Sequence, residues 1–248
     1  MFEGLATLGP LKVATTQPAG TIQYNRFMEQ RGELFALAQD KFTKVASQLV
    51  TKLYFHNATD DRSLTMPARA TSASADISTV KRTMNTSIGA AQTSISWQGN
   101  VATPQRITQF VGPAMAQQTI AAQNWTLNIA RQEDDLGNNF VQGLRLYVFR
   151  PITNAIVGYI VGSASAYTLY TTGSEPTSGS TEQSYQNTAF SGSAVTAQEG
   201  DILICELYFE RATGAGAAAL TYVYFNGTTE TLTDNTTVSN HASFIQSA

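Results

Sequence analysis

The stretch Gly200–Glu230, GDILICELYFERATGAGAAALTYVYFNGTTE, decides the fold class of this chain. Its centre, Gly214-Ala215-Gly216-Ala217-Ala218-Ala219, has the G-x-G-x-x-A spacing of a dinucleotide-binding turn. That motif works only where the glycines open a helix whose N-terminal amides receive a pyrophosphate, inside a parallel βαβ unit. Here the glycines lead into Leu220–Phe225, LTYVYF, where Leu220, Tyr222 and Tyr224 alternate with Thr221, Val223 and Phe225 before an Asn226-Gly227 pair. Aromatic and β-branched residues alternating up to an Asn-Gly turn are strand chemistry. A helix of about ten residues does not fit between Phe209 and Leu220. The expectation is therefore a hairpin of two antiparallel strands, with no cofactor site at the glycines.

The preceding strand alternates just as clearly. Leu203, Cys205, Leu207 and Phe209 share one face, and Ile202, Ile204, Glu206 and Tyr208 share the other. The first set reads as the core face, so Cys205 is expected as a buried thiol. As the single cysteine, it excludes an intramolecular disulfide framework.

Short β-rich runs continue upstream and downstream, among them TSISW ending at Trp97, RITQFV from Arg106, TIAAQNWTLNIARQ from Thr119, GLRLYVFRP from Gly143, AIVGYIV from Ala155 and a closing ASFIQ. Gly, Pro, Asn and Ser separate them and no helical period intervenes. This spacing predicts a mainly β chain folded as an antiparallel β-sandwich, jelly-roll-like, over residues 51–248. Two Thr/Ser-rich segments, 171–187 and 226–240, read as exposed loops. Residues 1–50 differ: 1–24 show no period and read as an extended arm carrying Leu5, Leu8, Leu11 and Val13. Leu34, Ala38, Phe42, Val45 and Leu49 then recur at spacings of three and four, which predicts one amphipathic helix over about 32–50.

Charged residues make up 13% of the 248, against about 25% in typical domains, and the net charge is -3. No basic cluster exceeds the Lys81-Arg82 pair, which argues against nucleic acid as a partner. The first twenty residues lack a basic region followed by a continuous apolar run, so no secretory signal is expected. No apolar run approaches the ~18 residues of a membrane span.

Candidates for chemistry are few. His56 and His241 are the only histidines and read as polar strand-end or loop residues. Glu206 and Glu210 lie two pleats apart on one strand face and are the best carboxylate pair for a glycoside hydrolase, although Glu206 also suits a solvent-facing position or a partner such as Arg145 or Arg150. Glu133, Asp134 and Asp135 read as a solvated turn. They and Asp60-Asp61 are the candidate oxygen-rich loops for calcium, without the D-x-D-x-D-G spacing. Tyr167, Tyr170 and Tyr185 are the loop aromatics that could stack on a sugar. None of these sets meets the pattern its chemistry requires, so no catalytic, cofactor or metal residue is assigned and the chain is read as a non-enzyme.

Taken together, LRLYVFRPITNAIVGYIVG, SAVTAQEGDILICELYFERATGAGAAALTYVYFNGTTE and the closing ASFIQ resemble the β-sandwich half of a group of tailed-bacteriophage virion proteins. The likeness spans about Trp97 to Ala248. It implies a jelly-roll module that decorates a capsid or belongs to the neck, tail or fibre. The charge-poor, Thr/Ser/Ala/Gly-rich composition points the same way, since such a surface suits coverage by neighbouring subunits. The expected role is a virion structural component, a capsid cement or decoration protein assembled in the host cytoplasm. Its expected partners are further copies of itself, with a trimer as one arrangement, and the major capsid protein or other virion proteins. Leu5, Leu8, Leu11 and Val13 of the arm and Leu34, Phe42, Val45 and Leu49 of the helix are the expected assembly residues, because an isolated arm buries too little to offset its ordering entropy. The alternative is a tail, neck or fibre component with a carbohydrate- or receptor-binding jelly roll. A fibre would be expected to show a coiled coil or shaft repeats, and neither is present.

Overall fold

Strands form where aromatic and β-branched residues alternate with small polar ones. The computed structural model of the chain describes residues 52–65, 67–98, 104–134, 140–169, 181–211, 220–231, 233 and 236–247. The expected arm, helix and domain boundary at residue 50, with all eight expected assembly residues, lie outside them.

The strands are β1 (Lys52–Thr59), β2 (Ala75–Asp76), β3 (Lys81–Asn85), β4 (Thr93–Gln98) and β5 (Gln105–Ala114). They continue through β6 (Gln118–Ile120), β7 (Asn124–Glu133), β8 (Phe140–Arg150), β9 (Ala155–Val161) and β10 (Thr168–Leu169). The last are β11 (Gln183–Ser191), β12 (Val195–Ala197), β13 (Ile202–Arg211), β14 (Leu220–Phe225) and β15 (Phe244–Ser247). Hydrogen bonding runs in the order β10-β8-β13-β5-β3-β1-β15-β7-β14-β4, with β9 beside β8, β2 beside β5 and β11 beside β7, while β6 and β12 form a separate ribbon. Pairing is antiparallel except where β2 and β3 run parallel to β5.

This continuous sheet folds over on itself into the expected sandwich. Phe110 of β5 lies five strand positions from Phe225 of β14, about 24 Å across a flat sheet. Their ring centroids are nevertheless 4.8 Å apart, and Phe110 also stacks on Phe55 of β1 at 4.4 Å. Between the layers, Leu203, Cys205, Leu207 and Phe209 of β13 pack with Leu144, Leu146 and Val148 of β8, Leu127 and Ile129 of β7, and Val223 of β14. Cys205 faces the core as its alternation predicts.

The other face of β13 is buried too. Ile202, Ile204, Glu206 and Tyr208 are each at most 1% exposed, because the chain between β1 and β3 lies over that face. Ala70 and Ala73 of this cover pack on Tyr208 together with Tyr167.

Two local expectations are corrected. β13 and β14 are strands, but they are not hairpin partners: β13 pairs with β8 and β5, and β14 with β7 and β4. The connecting residues 212–219, which include the glycine turn, lie outside the described residues. Strand character is local, whereas pairing depends on which edges complement each other across the whole sheet. The hairpin that does form joins β8 to β9, with Arg150 opposite Ala155 and Asn154 at φ 52° in its turn. The second correction concerns the segment 171–187, read as exposed loop. β11 begins inside it, and Gln183, Ser184 and Tyr185 are buried. Polar residues survive there because the 231–237 loop receives them: Ser184 Oγ donates to Thr233 O at 2.5 Å, and its amide to Thr236 O at 2.9 Å.

Candidate functional site

The densest polar cluster is built by sheet register. Glu206 on β13 sits directly opposite Arg145 on β8 and, on its other side, opposite Gln109 on β5. Directly opposed residues project from the same face, so the three side chains meet beneath the cover. Glu206 Oε1 accepts from Arg106 Nη1 (2.6 Å), Gln109 Nε2 (2.6 Å) and the Tyr147 hydroxyl (3.0 Å). Glu206 Oε2 accepts from Arg145 Nε and the Tyr208 hydroxyl, both at 2.5 Å. An ionised carboxylate offers about four lone-pair sites, and these donors fill them.

The outer half of the cluster holds the cover. Arg106 Nη1 donates to Pro67 O (2.9 Å), Arg145 Nη2 to Ala68 O (2.5 Å), and the Ala70 amide to the Tyr208 hydroxyl (3.1 Å). Arg106 Nε binds Asp76 Oδ1 at 2.7 Å, so two buried guanidiniums are balanced by Glu206 and the partly covered Asp76. Burial alone would weaken proton binding by Arg145, but the hydrogen bond and charge of Glu206 outweigh it and its pKa is raised. Burial, followed by the negative Glu206, lifts the phenols of Tyr147 and Tyr208 well above their ordinary range. These groups keep one protonation state across the physiological range. Chemically the cluster can clamp the cover onto β8, β13 and β5, with both Glu206 oxygens engaged and the group sealed from solvent.

A second polar clamp lies on the opposite layer. His241 is fully buried, its Nε2 is 2.5 Å from Asn128 Oδ1, and Asn128 Nδ2 donates to Thr231 O at 2.7 Å. The amide donates through nitrogen, so its oxygen accepts from His241 Nε2–H. Burial holds the His241 pKa down at about 4. Gly227 is required where this loop begins: its φ is +90°, and a Cβ there would lie 2.3 Å from His241 O.

The remaining sequence candidates scatter. The expected Glu206–Arg145 pair forms, but the solvent-facing alternative does not, and Arg150 instead binds Asp201 through two contacts of 2.8 and 2.9 Å. The Glu210 side chain lies outside the described residues. The acidic run is not one solvated turn: Glu133 is buried at the end of β7, Asp134 is exposed, and 135 lies outside the described residues. Asp60 is buried with Oδ1 2.7 Å from Arg62 Nε, Asp61 is exposed, and Arg62 O and Leu64 O hold Lys81 Nζ at 2.9 and 2.8 Å. Among the described residues no group of three or more His, Cys, Asp or Glu converges on a metal position. His56, at the surface, bonds through Nε2 to Ser87 O at 2.9 Å, whereas His241 is a core residue and not the loop residue its surroundings predict. Tyr167 lies flat against Tyr208 (4.5 Å, 11°), and the buried Tyr185 is capped by Arg131 at 4.3 Å, so neither presents a free loop ring; Tyr170 lies outside the described residues.

Sequence reasoning missed Arg106, Gln109, Tyr147 and Asp76. The signal that could have found them is a row of long polar side chains interrupting otherwise apolar strands, RITQ in β5 and LRLY in β8.

No protein-family model and no curated relative matches the chain. Among solved structures, it is similar to a CocE/NonD family hydrolase from Staphylococcus aureus, with 9% identity, 79% of this chain and 36% of that chain covered, and a TM-score of 0.45. It is similar also to the structure of infectious bursal disease virus, Gx strain, with 9% identity, 65% and 35% covered, and a TM-score of 0.26. The chain spans about a third of each, and neither likeness is close enough to assign an activity or an assembly.

Proposed function

We propose that this chain is a structural subunit of a tailed-phage virion, a capsid cement or decoration protein that binds neighbouring subunits through its arm and the surface of its sandwich. The observation that carries this reading is where the charge goes. Each Lys and Arg whose side chain is described makes an internal contact, whether with Glu206, Asp76, Asp60, Asp201 or Glu230, with backbone carbonyls, or with the face of Tyr185. The best carboxylate candidate is likewise spent on holding loop to sheet. What faces outward among the described residues is mostly Ser, Thr, Gln, Asn and Ala with scattered charges such as Asp61, Asp134 and Glu199, a charge-poor surface that suits packing against other subunits. The sequence resemblance to phage virion sandwiches supports the same assignment.

The test is negative-stain imaging of disrupted particles of the encoding virus, labelled with antibody against this chain, alongside particles made with residues 2–24 deleted. Label on the head, lost on deletion, is the expected result. Label on the neck or tail would replace cement protein with the tail reading, and absence from particles would overturn the virion role.

A further inference from the structure

Among the described residues the sheet ends in an edge with no backbone partner on its outer side, and its chemistry selects what can close it. Among these residues β4 (Thr93–Gln98) ends the hydrogen-bonding order and pairs only with β14, through Leu220–Phe225. Other edges among the described residues are short, partly backed or broken by register shifts, as in β9 and β11. β11 is backed by the 236–238 segment, through Ser184 N to Thr236 O and Val238 N to Glu182 O; β9 receives the Ser193 amide at Ile160 O; β10 is two residues long. The outer backbone groups of β4 form a template for a strand, which engages a row of amides and carbonyls in register.

Natural edges are protected by Lys, Pro, bulges or inward charges. TSISWQ has none of these: it contains no charge and no proline, and its pairing with β14 runs without a register shift from Leu220↔Gln98 to Phe225↔Thr93. Ser94 and Ser96 are exposed, while Ile95 packs against the core. In an antiparallel pair, opposite residues project to the same face. Self-pairing therefore keeps core-facing positions together only when the two residue numbers sum to an even value. The register centred on Ser96 meets that condition and lies wholly within β4, placing Ser96 opposite Ser96, Ile95 opposite Trp97 and Ser94 opposite Gln98 of a second copy. Centring on Ile95 would draw in Gln92, which already holds Glu182 at 2.6 Å.

We propose that β4 is an assembly edge that pairs antiparallel with β4 of a second copy of this chain, the two-fold axis passing at Ser96. The pairing joins two sandwiches into one extended sheet, places no like charges against each other, and covers the unprotected edge. It extends the assembly role by naming a self-contact within the sandwich, separate from the arm.

The experiment uses the full chain. Light scattering after size exclusion should give a mass containing paired copies for the wild type. Ser96→Lys should weaken that association at least tenfold, by setting two ammonium groups face to face, with the circular dichroism spectrum unchanged. Ser96→Cys should cross-link rapidly on mild oxidation, whereas Ser94→Cys should not, and buried Cys205 gives no background. A wild-type chain that stays monomeric, an unchanged mass for Ser96→Lys, or equal cross-linking of Ser94→Cys and Ser96→Cys would overturn the proposal. Association that persists in Ser96→Lys would reject this edge while leaving assembly through the arm intact.

Discussion

Replacing Glu206 by Gln tests whether the buried network clamps the cover onto the sheet. The substitution keeps shape but removes the charge shared by Arg106 and Arg145 and turns one accepting oxygen into an NH2 group facing donors. Arg106 keeps Asp76 at 2.7 Å, but Arg145 keeps no carboxylate, only Ala68 O at 2.5 Å, Ser163 O at 3.5 Å and the rings of Tyr147 and Tyr159. Removing one partner of a buried ion pair costs about 3–5 kcal/mol. The charge-assisted bonds lost, at about 1.5–3 kcal/mol each, lead to the same range. Urea unfolding of the wild type and Glu206→Gln should therefore differ by about 3–5 kcal/mol at similar m-values, and amide exchange should accelerate first in residues 67–78. The double variant Glu206→Leu with Arg145→Met should be more stable than Glu206→Leu alone, because it leaves no unpaired guanidinium on β8. A loss below about 1 kcal/mol for Glu206→Gln, or additive losses in the double variant, would refute the clamp.

Two further outcomes follow from buried groups. His241 binds its proton near pH 6.5 when unfolded and near pH 4 in the fold, so between these values the unfolded chain holds the extra proton; stability is complete above pH 6.5 and falls by up to about 3 kcal/mol as pH drops to 4. Denaturation measured across that window should lose this slope in His241→Gln, and an unchanged slope would show that another group sets it. Burial, with the charge of Glu206 adding to it, raises the Cys205 thiol pKa, so native labelling at pH 8 should be far slower than in denaturant, and Cys205→Ser should cost about 1–3 kcal/mol through the inserted hydroxyl. Equal labelling rates in the two states would place the thiol outside the core.

The sequence by itself determined that Ile202–Arg211 and Leu220–Phe225 are strands, that Leu203, Cys205, Leu207 and Phe209 face a core, and that the class is β-sandwich. All of this follows from a period of two and from turn residues, which act over a few positions of chain. Only the tertiary structure decided that β13 and β14 part company, each to be flanked by strands distant in sequence, and that the outward residues of β13 are as buried as the inward ones. It also decided the site. Glu206 was legible as a carboxylate in want of a cation, but Arg106, Gln109 and Tyr147 reach it from 100, 97 and 59 residues away. Their convergence depends on strand register across β8, β13 and β5, which is set by how the whole sheet pairs. His241 shows the same limit: neighbouring Asn240 and Ala242 suggest a loop, and Asn128, 113 residues distant, makes it part of the interior.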